Sequence, residues 1–355
     1  MLLDGLQLPL TTPFYPDGRL NLHKLEHNVA RYSKTPVAGL VALGETGEPT
    51  LLSEEETRHV LRSCAAAAAV EKVLIAGVSR DSVVGTLELA EAAAEFGYDV
   101  VLVKRPSMLR DSGRGEHRKE LLAYFQAVAD RSALPVLLYS SAAAEDGAAL
   151  PAEVVIELAG HSKIMGMVEG GEGRERIETI KRGTANFKRD VTVTSVFAAV
   201  TGRMMNRSEE AEAKDLILAT SLTDGGAAVG APSKTIAKTR TKVVGFQILA
   251  GTTNGMLESL QGGGVGAMPA FAAAAPQACY EVLAAWKDGD EGLALEKQER
   301  LCDVAARIER QMGVAGIKFG CDLNGYYGGM PRLPLLPLSG DERGEVEALM
   351  QGMRN

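Results

Sequence analysis

The stretch Gly39-Leu-Val-Ala-Leu-Gly44-Glu45-Thr46-Gly47-Glu48-Pro49-Thr50-Leu-Leu-Ser53-Glu-Glu-Glu56 contains a strand, a turn and the start of a helix. Gly39 to Leu43 is a short apolar run of the kind that forms a buried strand. Gly44 and Gly47 flank Thr46 and let the backbone turn sharply, with consecutive N–H groups aimed at one point. Such a concave row of donors suits a small anion, a carboxylate above all. The Thr46 hydroxyl can add one more bond. An ordinary loop between strand and helix is the plainer reading of the same residues. Ser53 and Glu56 have the spacing of a capping box and open the helix.

The same unit recurs on both sides. Leu6 to Thr12 is apolar and stops at Pro13, a first strand, and Asn21 to Lys34 has helical periodicity. Strands are expected at Lys72–Val78, Asp99–Val103, Pro135–Tyr139 and Lys163–Glu169. Helices are expected between them, at Ser53–Val70, Asp81–Phe96, about Gly115 to Asp130, and from Pro151, which suits a first helical turn. Near-continuous apolar strands separated by helices imply a parallel sheet covered on both faces. Six such units within the first 170 residues predict an α/β fold closed as a (β/α)8 TIM barrel. The open doubly wound sheet ranks second, because no Gly-x-Gly-x-x-Gly follows the first strand.

Gly170 to Gly245 breaks the rhythm. Glu172–Lys181 and Ser208–Ala219 read as helices, Val191–Phe197 alternates like a two-sided strand, and Thr223–Thr241 is rich in Gly, Ser, Thr and Lys. This is too long for a simple connection. It is read as a long insertion between strands six and seven, at about 175–245, partly mobile and packing on a neighbouring subunit. The barrel pattern resumes with a seventh strand at Phe246–Gly251, a short helix at Met256–Leu260 and an eighth, glycine-rich strand at Gly264–Pro269. Helices follow at about Pro276–Trp286, Gly292–Met312 and Val314–Leu323. Ser339 and Glu342 repeat the capping spacing before a last helix at Val346–Met353. The barrel with its excursion is thus assigned to 1–285 and a C-terminal helical appendage to 286–355.

Composition narrows the function. A hydrophobic fraction of 46% over 355 residues is ample for a barrel core, and a net charge of −8 gives no electrostatic support for nucleic-acid binding. No run of 18 apolar residues is present, so no membrane span is expected, and the first residues lack the pattern of a signal peptide. Cys64, Cys279, Cys302 and Cys321 have no metal-ligand spacing and read as reduced residues of a cytoplasmic protein. His23 and His27 share a helix face, but on the outer ring; no metal and no cofactor is expected.

Several stretches together resemble the dihydrodipicolinate synthase and N-acetylneuraminate lyase family of pyruvate-handling aldolases. The Gly44–Glu48 turn is similar to that family's Gly-Thr-Thr-Gly-Glu motif, and Leu10-Thr-Thr-Pro-Phe14 to its first strand. Ile75-Ala-Gly-Val78, Val101-Leu-Val103 with Pro106, Pro135–Tyr139, and the tail from Gly316-Ile-Lys to Pro334-Leu-Leu-Pro-Leu338 also fall in place. The resemblance covers nearly the whole chain outside the excursion. It implies a homotetrameric (β/α)8 lyase acting on a small oxo acid or sugar acid, with a strand-six lysine forming a Schiff base with pyruvate.

The sixth-strand motif departs from the family's Gly-Ile-Lys-Glu: here it is Gly166-Met167-Val168-Glu169. Val168 has no amine and cannot form an imine. Glu45 replaces the first threonine of the turn, Met108 a tyrosine, and Ser140 an asparagine. Tyr139 and Thr46 remain as candidate catalytic groups; Glu45, Thr46, Gly47, Lys104, Arg105, Glu169 and Gly251 are the candidate binding residues. Lys163, five residues before Val168, lies ~16 Å away at the wrong end of the barrel. Lys104 stands at the carboxyl end of strand four, either as a relocated nucleophile or as a loop cation. A Glu45 carboxylate beside a carboxylate ligand costs on the order of 4 kcal/mol at ~4 Å, so either Glu45 points away, or Lys104 or Arg105 neutralises it, or the ligand is not a 2-oxo acid; pointing away or pairing is the favoured reading. Two readings follow: a family lyase working without the usual imine, or a non-catalytic homologue that binds a small anion or serves an oligomeric role.

Overall fold

In the computed structural model, which describes residues 1–110, 117–141, 149–171, 173–206 and 238–353, strand and helix alternate as the apolar spacing dictates. In chain order the strands are β1 (Gly5–Pro9), β2 (Gly39–Ala42), β3 (Val73–Gly77), β4 (Val100–Lys104), β5 (Val136–Ser140), β6 (Ile164–Glu169), β7 (Arg189–Val193), β8 (Arg240–Val244), β9 (Gln247–Ala250) and β10 (Gly266–Ala267). The helices are α1 (Leu22–Tyr32), α2 (Glu54–Ala67), α3 (Val83–Glu95), α4 (Arg118–Arg131), α5 (Ala152–Leu158), α6 (Arg174–Gly183), α7 (Met256–Gln261), α8 (Pro276–Lys287), α9 (Glu291–Ala305), α10 (Gly313–Leu323) and α11 (Gly340–Met350).

The parallel strands close into a barrel in the order β1-β10-β9-β6-β5-β4-β3-β2. Successive side chains of a strand point to opposite faces, and both faces here are apolar. Leu40, Leu74, Val101, Leu138, Met167 and Ile248 pack outward in the layer shared with the helices. Their neighbours Val41, Ile75, Leu102, Leu137, Val168 and Leu249 pack together inside the barrel. This double-sided burial is why the strands read as unbroken apolar runs.

The amino end of the barrel is plugged. The Leu3 amide donates to Gln247 Oε1 at 2.8 Å, and Gln247 Nε2 donates to the Met1 carbonyl. Antiparallel β7 and β8 form a separate two-stranded sheet whose Val191 and Val193 pack on Leu2. Gly202 donates its amide to Asp99 at 2.9 Å, and Arg203 donates to the carbonyls of Ala68 and Lys72. The described part of the excursion therefore packs on its own barrel. An apolar barrel end would otherwise face water. The excursion also begins later than 175, because Arg174–Gly183 is the sixth crossover helix. Ser208–Ala219 and most of Thr223–Thr241 lie outside the described residues.

Two helix boundaries differ from the sequence reading. The Ser339–Glu342 capping box is formed, and it starts α11 at Gly340, so the helix runs six residues ahead of the expected Val346. The expected single helix Gly292–Met312 ends as α9 at Ala305 and continues as a π-helical turn, Ala306–Gln311. The four cysteines are free thiols, as their scatter suggested, with Cys64, Cys279 and Cys321 buried.

The C-terminal helices are fastened to the barrel mouth by a buried ion pair between Glu48 and Lys318, both essentially inaccessible. Lys318 also donates to the Met330 carbonyl at 3.0 Å and stands 4.5 Å from the Phe14 ring centre. The second Glu48 oxygen accepts from the Arg332 amide at 2.8 Å. The Arg332 guanidinium then pairs with Glu56 through two bonds of 2.7 Å.

Removing one member of a buried pair costs about 3–5 kcal/mol because the other charge is stranded. Glu48→Gln and Lys318→Met should each lower unfolding stability by that order in urea, and the double variant should recover much of the loss. Single variants within 1 kcal/mol of wild type would sink this account. The Arg332 hydrogen bonds pull the Glu56 carboxyl down from 4.5 to about 2. A depressed carboxylate stabilises the fold above its unfolded value and loses that contribution as pH falls. The stability difference between wild type and Glu56→Gln should therefore shrink between pH 5 and pH 2 in acid-denaturation curves.

Candidate active site

A cavity of about 770 Å³ opens at the carboxyl ends of the strands, within the usual range for small-molecule sites. Its walls come from the turn after β2, the ends of β3, β4 and β5, the loops after β9 and β10, and the C-terminal residues Glu309 to Ile317. Barrel chemistry takes place at this end. His23 and His27 lie exposed on α1, outside it.

The turn after β2 is a pair of 3-10 turns, and its donors are largely spent. The amides of Gly47 and Glu48 bond back to the carbonyls of Gly44 and Glu45. The Thr46 hydroxyl donates to the Leu10 carbonyl at 3.1 Å, and Thr12 donates to the Gly47 carbonyl at 2.7 Å. Thr46 and Gly47 thus lace the turn to the end of β1, and Glu48 takes a left-handed conformation, φ 54°, held by its buried ion pair. Glu45 points the other way. It is exposed to the cavity, and its carboxylate accepts a hydrogen bond from the Tyr139 hydroxyl at 3.0 Å. Burial first, and the Glu45 charge second, push the Tyr139 phenol well above its usual range, so it keeps its proton and acts as the donor.

Register places the inward groups of three strands in one layer. Lys104 of β4 is level with Tyr139 of β5, Tyr139 with Val168 of β6, and Val168 with Leu249 of β9. Val168 is fully buried among the interior residues, directly beside Tyr139. Position 168 therefore faces the barrel axis as hydrocarbon. Lys104 lines the cavity and a small adjoining recess beside Glu45 and Tyr139. Its backbone amide is anchored to Ser79 Oγ at 2.8 Å, and its ammonium makes no hydrogen bond or ion pair among the described residues. Lys163 lies at the opposite end of the barrel, donating to the Ser132 carbonyl.

The next residue along each strand faces the other way. Glu169 is buried and serves the scaffold: one oxygen pairs with Arg176 at 2.8 Å and the other accepts from the Gly171 amide at 2.8 Å. Arg105 touches the cavity wall but directs its guanidinium to the carbonyls of Leu109 and Ala149. Gly251 lets two backbones meet. Its amide donates to the Glu169 carbonyl at 2.6 Å.

Sequence reasoning missed Glu309. It sits on the π-helical turn, lines the cavity, and accepts from the Thr253 hydroxyl at 2.5 Å and the Phe271 amide at 3.2 Å. Burial is the chief reason its carboxyl is raised above the usual range. A single-turn π segment is a frequent mark of a functional site, but nothing in the local sequence announces one.

Comparison with known proteins places this geometry in context. The dihydrodipicolinate synthetase family matches residues 2–201 and 226–353. An L-threo-3-deoxy-hexylosonate aldolase from Hypocrea jecorina is 27% identical over 99% of this chain and 95% of its own length. A 4-hydroxy-tetrahydrodipicolinate synthase from Acidiphilium cryptum is 27% identical over 98% of each chain. Among solved structures, a dihydrodipicolinate synthase from Bacillus anthracis gives a TM-score of 0.76 at 18% identity over 100% of both chains. The Proteus mirabilis N-acetylneuraminate lyase gives 0.73 at 19%, covering 99% of this chain and 98% of its own. At these identities the structural likeness speaks to fold alone.

A Cβ at position 251 would stand 2.9 Å from both the Glu169 carbonyl and the Gly170 Cα. Gly251→Ala should destabilise the chain by roughly 1–3 kcal/mol, as overpacking does. A urea midpoint unchanged from wild type would refute the close approach.

Proposed function

The chain belongs to the dihydrodipicolinate synthetase family, and on that basis we propose that it is a lyase of the aldolase type acting on a small 2-oxo acid or sugar acid without an imine at position 168. The observation that carries this reading is the Tyr139–Glu45 hydrogen bond at the cavity floor. A retained phenol proton beside a carboxylate is a general acid–base pair. In a retro-aldol step, Glu45 would take the proton of the substrate's β-hydroxyl through Tyr139. The bond between the carbons α and β to the carbonyl would break, its electron pair passing to the 2-oxo end as an enolate. Reprotonation of that carbon would complete the cleavage. With hydrocarbon at Val168, no covalent electron sink is available there. The support from relatives is at the level of the reaction class: those that match along nearly the whole chain include an L-threo-3-deoxy-hexylosonate aldolase and a 4-hydroxy-tetrahydrodipicolinate synthase.

A non-catalytic binding homologue is the second reading. It is favoured by the structural engagement of Thr46, Arg105 and Glu169, each committed to backbone or ion-pair partners. On either reading the partner is a small acid. A homo-oligomer, a tetramer by family resemblance, is expected by light scattering.

The test is release of pyruvate from a panel of 3-deoxy-2-oxo sugar acids, coupled to lactate dehydrogenase. Tyr139→Phe and Glu45→Gln should each lower turnover by ~10²-fold or more, the usual contribution of a general acid or base. Borohydride with pyruvate should give no adduct at position 168 by intact mass and peptide mapping. Binding of the acids without any turnover would select the second reading.

A further inference from the structure

We propose that Lys104 is the residue that receives the ligand's carboxylate, so that the acid lies with its charged end on β4 and its carbonyl or hydroxyl end against Tyr139 and Glu45. The inference rests on the reading of the cavity as an acid site and deepens it by giving the ligand a direction.

Among the described residues the cations of the cavity wall are Arg80, Lys104, Arg105, Arg110 and Arg310, and Lys104 is the one placed at its strand end in the inward layer. Arg80 is committed to Glu54, through bonds of 2.8 and 3.2 Å. Arg105 is committed to the carbonyls of Leu109 and Ala149. Asp81 is held by the amide and hydroxyl of Ser107. Lys104 lines the cavity from the same inward layer as Tyr139 and Val168, with no ion pair or side-chain hydrogen bond among the described residues. Its main chain is fixed by Ser79, so the stem has a defined origin, and its charge, after the Ser107 hydrogen bonds, helps hold the nearby Asp81 carboxyl below the usual range.

The turn after β2 is less suited to the same role. Its Thr46 hydroxyl and the amides of Gly47 and Glu48 already have backbone acceptors. The group it does present is Glu45, whose charge repels a second carboxylate by on the order of 4 kcal/mol at ~4 Å. The same carboxylate is an acceptor suited to a hydroxyl. Attraction at Lys104 and repulsion at Glu45, two separate groups of the cavity wall, together favour one orientation of an acid over its reverse. A flexible lysine is also suited to a carboxylate whose adjacent oxygen changes charge, since its point charge can serve both oxygens.

The experiment is calorimetric titration at low salt with pyruvate, with D-gluconate, and with D-glucitol, the uncharged counterpart of gluconate. Wild type, Lys104→Met, Lys104→Arg and Glu45→Gln are compared, with thermal midpoints as the check on folding. Lys104→Met should weaken the acids at least tenfold while changing glucitol less than twofold, and Lys104→Arg should restore part of the loss. Glu45→Gln should tighten the acids severalfold and weaken glucitol. Folded Lys104→Met that binds the acids as wild type does would overturn the proposal alone. Wild type that binds neither acid would overturn the reading of the cavity as an acid site and this proposal with it.

Discussion

A carboxylate and an ammonium removed from water must find each other, and the Glu48–Lys318 pair meets that demand at the junction of two parts of the chain. A stranded partner would cost several kcal/mol, so the turn after β2 and helix α10 cannot separate without a large penalty. That fixes more than two side chains. Glu48 is held in a left-handed conformation, which sets the direction of the turn and presents Glu45 to the cavity. The same contact brings the C-terminal helices over the mouth, where Glu309 bridges the loops after β9 and β10.

The barrel supplies the second constraint, which is parity. Lys104, Tyr139 and Val168 face the axis because their Cα atoms share a register level on adjacent strands. Each strand contributes one inward group to that level, so the valine on β6 has a lysine two strands away in the same layer. Adjacent strands lie ~4.8 Å apart, well within the combined reach of a lysine stem and a small ligand. The electrostatics of the pocket can thus be rearranged without moving any backbone.

Much of this was legible in the sequence. The apolar runs gave the parallel sheet because both faces of each strand are covered, and the two Ser–Glu spacings gave both capping boxes. The cavity location followed from the strand ends. What misled was polarity without parity. Glu169 and Arg105 stand at strand ends like true site residues, yet each is one step beyond an inward residue. Glu169 therefore turns to Arg176, and Arg105 to backbone carbonyls. Placing Val168 inward already implied Glu169 outward. Glu309 was not legible in this way. It reaches the mouth only through the packing of a π-helical turn against loops about forty to sixty residues earlier in the chain, and no local pattern encodes that contact. The contacts of the excursion with its own barrel were not legible for a related reason. Its alternating strand needed an apolar surface to cover, and the surface was the barrel's own amino end, formed by Leu2.

The changes from the family pattern at positions 45 and 168 are consistent with one another on physical grounds. A protonated imine carries its positive charge on the C=N unit, next to the carbon whose bond breaks. On the proposed route without one, the developing enolate would rely on hydrogen-bond donors at the carbonyl end of the ligand. Lys104, in the same inward layer as Tyr139, would hold the neighbouring carboxylate. On the same proposal the Glu45 carboxylate, which accepts from the Tyr139 hydroxyl, would take the proton through Tyr139 and repel the ligand's own carboxylate. Valine at 168 completes the arrangement by keeping hydrocarbon beside the Tyr139 ring, which lowers the local dielectric and strengthens both interactions.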